Sequence, residues 1–252
     1  MSETGTSIIG RINQSRIKAI LFDVDGTLSD TDDRMVDRLS KLFLPISWLF
    51  IDRNPKNFSR RLVMAMETPG NFLYHLADRI GIDSFFAKYY KYIQAKRIDQ
   101  NIRKGKFWII PGVQEMLETL YTLYPLGVVS ARDATSTREF LDHFDLTKFF
   151  QVVVTAQTCR YTKPFPDPVL HASKALEVLP EDCLMVGDTI VDVKSGKSAG
   201  TQTVGVLCGF GTLRELRRVD ADMILPSTIM LKDFLLNTKP TDNLQGSFLG
   251  EN

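Results

Sequence analysis

A chain of 252 residues, 44% hydrophobic and 24% charged, has room for a full α/β core and a smaller second domain, and its composition excludes wholesale disorder. Thirty-one basic against thirty acidic residues leave a net charge of +1, so no bulk field draws the molecule to nucleic acid or to a membrane surface. The three cysteines, Cys159, Cys183 and Cys208, lie far apart without C-x-x-C spacing, which fits a reducing cytoplasm better than a disulfide framework.

Residues 1–16 are polar and lack the apolar core of a signal peptide, so they read as a tail. Ile17, Ala19, Ile20, Leu21 and Phe22 then form a nearly continuous apolar run, as expected of a central parallel strand buried on both faces. Asp23 follows at its carboxyl end, where open α/β sheets bind their ligands. Asp23, Asp25 and Gly26 would equally suit a polar turn. A calcium loop is excluded by counting from Asp23, because Leu28 stands at the sixth position, which needs Gly, and Arg34 at the twelfth, which needs Glu.

From Asp30 to about Phe107 the pattern is helix upon helix. Leu39, Leu42 and Phe43 share a face, as do Phe72, Leu73, Leu76 and Ile80, and Phe85, Phe86, Tyr89, Tyr90 and Ile93 make a third stripe. Such stripes pack a helical subdomain by default. Arg53, Lys56, Arg60 and Arg61 either greet an anionic substrate or form a solvated face. Leu42 to Ile51 is about half of the roughly 20 residues a spanning helix needs and is broken by Pro45, so no membrane segment is expected.

At Pro111 and Gly112 the period changes. An amphipathic helix carries Val113, Met116, Leu117, Leu120 and Leu123, and strands are predicted over 126–129, 151–155, 183–186, 203–207 and 223–225. Helices are predicted between them over 134–143, 166–178 and 190–199, the last stopped by Gly200. This alternation specifies an α/β fold with a doubly wound parallel sheet. The expected division is a core of 17–29 and 109–237, a helical insert over 30–108, and a second tail over 238–252. Gly209-Phe210-Gly211 is not a dinucleotide loop, since Arg214 occupies the place of the third Gly, and it reads as a turn. His75, His143 and His171 are scattered and form no metal set.

Three further signals fall at the carboxyl ends of predicted strands or in the loops beyond them. Ser130 ends the second strand in VVSAR, Lys163 lies in TKPFPDP, and Asp188 and Asp192 flank a helix start in VGDTIVDV. Singly, these are a turn residue, an unremarkable loop Lys and a helix cap. Together with DVDGTL, and in this order, they resemble the four motifs of the haloacid dehalogenase-like hydrolase superfamily. The helical insert after the first motif further resembles its C1-capped members, such as the phosphoglycolate phosphatase-like enzymes and β-phosphoglucomutases.

The resemblance implies a Rossmann-like core with an inserted α-helical cap. It implies Asp23 as nucleophile, Asp25 as general acid and base, Ser130 as a phosphoryl-binding hydroxyl and Lys163 as the neutralising cation. Mg2+ would be held by Asp23, by the Asp25 carbonyl, by Asp188, and by Asp192 directly or through water. The expected activity is hydrolysis of a small phosphomonoester metabolite through an aspartyl phosphate, with a sugar-phosphate mutase as the alternative and a non-catalytic phosphate-binding scaffold as a reading from another class. Binding alone needs no general acid, and Asp25 speaks against the scaffold. Nothing in the sequence chooses between monomer and homodimer.

Overall fold

The computed structural model describes residues 11–30, 44 and 107–237. Six parallel strands form one sheet in the order β3-β2-β1-β4-β5-β6: β1 Ala19–Phe22, β2 Leu126–Val129, β3 Val152–Val154, β4 Cys183–Gly187, β5 Gln202–Val206 and β6 Met223–Leu225. The chain builds outward from β1 through β2 to β3, then returns to the other side of β1 and builds outward again. The order therefore reverses between β1 and β4, and their carboxyl ends open the crevice in which such sheets bind ligands.

Every residue of β1 is fully buried, which explains the unbroken apolar run. Ile20 and Phe22 join one hydrophobic layer with Val113, Met116, Leu117 and Leu120 of helix α1 (Val113–Tyr121) and Phe140 and Leu141 of α2 (Ala134–His143). Ala19 and Leu21 face the opposite layer with Val169 and Ala172 of α3 (Asp167–Ala175). α4 (Ile190–Ala199) ends at Gly200, whose φ of +87° supplies the left-handed residue that closes a helix. Two further helices, α5 (Leu213–Arg218) and α6 (Met230–Leu236), are too short to have left a periodic signal.

The tail read over residues 1–16 reaches too far. Arg11 N–H donates to the Asp222 carbonyl at 2.7 Å, Gln14 Nε2 to the Phe234 carbonyl at 3.0 Å, and Arg16 pairs with Asp182 at 3.3 Å, so residues 11–16 are fastened to the core. The helical stripes expected over 30–108 lie outside the described residues except at their root. There Asp30 N–H donates to the Trp108 carbonyl at 2.9 Å and Ile110 N–H to the Leu28 carbonyl at 3.0 Å, so the outgoing and returning chains pair side by side. No described helix is long and apolar enough to cross a membrane.

Candidate active site

The reversal in strand order brings Asp23, just past β1, beside Asp188, just past β4. Asp192 reaches the same place from the first turn of α4, and Lys163 arrives from the loop between β3 and α3. Lys163 Nζ donates to Asp23 Oδ1 at 2.7 Å and to Asp192 Oδ1 at 2.6 Å, with all three side chains buried. The second oxygen of Asp192 accepts the Thr189 N–H at 3.0 Å and its hydroxyl at 2.5 Å. Asp192 is thus locked by a cation on one side and by its own helix start on the other.

Asp188 is held differently. Its Oδ2 accepts the Phe210 N–H at 2.7 Å, and backbone crowds it: a Cβ on Gly209 would lie 2.1 Å from that oxygen, and a Cβ on Gly26 2.3 Å away. Gly26 also has a φ of +69°. The Gly-Phe-Gly stretch that reads as a mere turn in the sequence is therefore a sleeve around a buried carboxylate. Its glycines are visible in the sequence; their partner, in a different strand's loop, is not.

Asp23, Asp188 and Asp192 each offer an oxygen, all within 4.8 Å of one another. Three carboxylates, if all ionised, would leave an excess of two negative charges against one ammonium in a buried space. Burial pushes Asp23 up to about 7, reinforced by Asp192 and Asp25 and opposed by Lys163. Burial likewise raises Asp188 well above the carboxylate range, with Asp192 and Asp23 adding to it. Burial alone would lower Lys163, but Asp192 and Asp23 outweigh it and hold the ammonium above its ordinary value. Asp188 Oδ1 is buried without a hydrogen-bond partner. An orphaned carboxylate oxygen, a set of hard oxygen donors and a charge deficit together fit a divalent cation such as Mg2+.

Ser130 ends β2 on the same edge, buried, with its Oγ accepting the Arg132 N–H at 3.1 Å. Asp25, two residues past Asp23, is only partly buried, and its carboxylate is gripped by Nε and Nη2 of Arg132. Nothing in the sequence singles out Arg132. It sits two residues after Ser130, but local periodicity does not pair it with a residue so far upstream.

Residues 20–206 match the family model described as haloacid dehalogenase-like hydrolase. A phosphoglycolate phosphatase of Nitrosococcus oceani is 32% identical over 234 residues, spanning 86% of this chain and 95% of that one. The pyrophosphatase PpaX of Anoxybacillus flavithermus is 28% identical, spanning 83% of this chain and 92% of its own. A hydrolase from Pseudomonas syringae shares the fold with a TM-score of 0.65 at 22% identity, over 88% of this chain and 99% of that one.

Proposed function

Because the chain belongs to the haloacid dehalogenase-like hydrolases and is a phosphoric monoester hydrolase, we propose that it cleaves a small phosphomonoester of the 2-phosphoglycolate type through an aspartyl phosphate on Asp23. The observation that carries this reading is the buried Asp23–Lys163–Asp192 chain beside Asp188 at the point where the strand order reverses. An anionic nucleophile must meet an anionic phosphoryl group there, and Lys163 supplies part of the necessary positive charge.

Asp23 attacks phosphorus as the bond to the leaving oxygen breaks, and Asp25 gives that oxygen a proton. Asp25 then takes a proton from the water that hydrolyses the acyl phosphate, and Asp23 is regenerated. Lys163 holds Asp23 in line and neutralises the equatorial oxygens, and the Ser130 hydroxyl donates to one of them. Asp23, Asp188, the Asp25 carbonyl and Asp192, directly or through water, would hold Mg2+, which when bound supplies charge neutralisation for nucleophile and phosphoryl group.

The similarity to a pyrophosphatase favours pyrophosphate as a second candidate substrate. Phosphate release should be measured from 2-phosphoglycolate, pyrophosphate and a panel of sugar phosphates, with Mg2+ and with excess chelator. Hydrolysis of 2-phosphoglycolate at the highest kcat/KM, lost in chelator and restored by Mg2+, is the expected result. Full turnover in chelator, or isomer formation without phosphate release, would refute it.

A further inference from the structure

The chemistry above makes no use of Arg132. Its Nε donates to Asp25 Oδ2 at 2.5 Å and its Nη2 to Asp25 Oδ1, a two-pronged grip on both oxygens of the carboxylate. The guanidinium carbon lies 5.6 Å from the centre of the Phe140 ring, which sets the plane of the fork. The side chains of Arg132 and Asp25 are 14% and 23% exposed, against 2% for Lys163, so this pair stands nearer the mouth of the site than its floor.

A carboxylate held in this way presents both oxygens to the guanidinium. To address a leaving oxygen, Asp25 must turn at least one of them away, and the fork it vacates is a planar pair of donors shaped for two oxygens of a single anion. Since Asp25 has to touch the leaving oxygen, a fork that reaches Asp25 also reaches the atoms just beyond that oxygen. We infer that Arg132 is a specificity-determining residue: a second anion on the leaving group, carboxylate or phosphoryl, replaces Asp25 on the Arg132 fork and by the same exchange releases Asp25 toward the leaving oxygen. Hydrogen bonds are exchanged in this step, and the freed Asp25 carboxylate takes up from solvent the proton that it then gives to the leaving oxygen. The inference rests on the phosphatase reading and narrows its substrates to phosphoesters or anhydrides that carry a second anion next to the bond that breaks. A phosphoester without that anion leaves the latch closed and is turned over slowly.

The test compares 2-phosphoglycolate, pyrophosphate and ethyl phosphate as substrates of the Mg2+-supplemented wild type, Arg132→Gln and Arg132→Lys, with thermal melts confirming that the variants fold. Losing a two-pronged bond to an anion should cost Arg132→Gln roughly 100-fold or more in kcat/KM on the preferred dianionic substrate, carried mainly by KM. On ethyl phosphate kcat/KM should change less than about threefold or rise, because removing the fork also removes the latch. Arg132→Lys keeps the charge but not the fork, so its loss on the preferred substrate should fall between. Whether the large loss appears on 2-phosphoglycolate or on pyrophosphate tells which anion the fork receives. Equal fractional losses on all three substrates would mean that Arg132 only orients Asp25, and would overturn the inference, as would a wild-type preference for ethyl phosphate. A wild type that releases phosphate from none of these three substrates, nor from p-nitrophenyl phosphate, would sink the phosphatase reading itself. Should Arg132→Gln fail to fold, Arg132→Lys decides: at least a tenfold loss confined to the dianionic substrates supports the exchange, and an even loss overturns it.

Discussion

Asp23 and Asp25 lie two residues apart yet occupy different environments, the first buried against Lys163 and the second at the mouth against Arg132. Their roles should separate accordingly. Asp23→Asn removes the attacking anion, so no phosphoenzyme forms with any substrate. Asp25→Asn keeps that anion, and p-nitrophenyl phosphate, whose leaving group departs unprotonated, should still give a burst of phenolate and accumulate aspartyl phosphate. Rapid-mixing absorbance and acid-quench labelling check both; the same loss of burst in the two variants would show that Asp25 acts by shaping the site. A pH effect follows from the same carboxylates. Burial raises the pKa of Asp23 from the ordinary 3.8 to about 7, so between those values the folded state holds a proton that the unfolded chain has released. Stability in chelator should therefore fall as pH rises from about 4 to 7, since the unfolded state binds fewer protons there. Asp188 shifts in the same direction and steepens the slope. A dication competes with those protons, so Mg2+ should raise Tm more at pH 8 than at pH 5. A Tm that rises with pH in chelator would contradict this.

At the level of elements, two glycines make opposite predictions. Gly200 ends α4 at φ +87° with nothing within 4 Å of where a Cβ would stand, so Gly200→Ala meets backbone strain alone and should lower stability by about 1 kcal/mol with kcat unchanged. Gly209→Ala drives a methyl into Asp188 Oδ2 and should reduce kcat/KM by roughly 100-fold or more while the fold persists. Thermal melts and steady-state kinetics distinguish them, and equal activities in the two variants would remove the sleeve from the functional account. The contrast also marks what could be read from the sequence. β1 announces itself because burial on both faces demands an unbroken apolar run, and the bounds of α4 are legible because Gly200 has a local reason to be there. Gly209 cannot be interpreted in the same way, because its reason is a carboxylate in another strand's loop. The Asp25–Arg132 grip is hidden for the same cause, and α5 and α6 because six or seven residues are fewer than two full turns of pattern.

For the molecule as a whole, the paired chains at Leu28–Asp30 and Trp108–Ile110 mean that whatever lies between them leaves and re-enters the core at one place. A short Gly/Ser linker can bridge such neighbouring ends at a small entropic cost, because closure entropy grows only with the logarithm of loop length. Replacing residues 31–106 in this way should leave a cooperatively melting core that keeps the Arg132-dependent preference for a second anion, while kcat/KM values for different dianionic substrates converge as the expected cap is lost. Retained discrimination among the dianionic substrates themselves would place that finer selection in the core as well. Calorimetry and a substrate panel read the two outcomes.

The position of β1 between β2 and β4 also has a consequence in time. During synthesis the Ala-Ile-Leu-Phe strand is made early, but Cys183–Gly187, the neighbour that completes its pairing, follows roughly 160 residues later, about 10 to 30 s at cellular elongation rates. Until β2 follows, roughly 100 residues on, the short, wholly apolar segment has no strand to pair with, and until β4 follows one of its edges stays open to other nascent chains. Lys18 and Asp23 bracket it, and charges at the ends of such a run oppose stacking with copies of itself. Asp23, the proposed nucleophile of the finished enzyme, thus also gives the unfinished chain a charge that guards the end of an exposed apolar run.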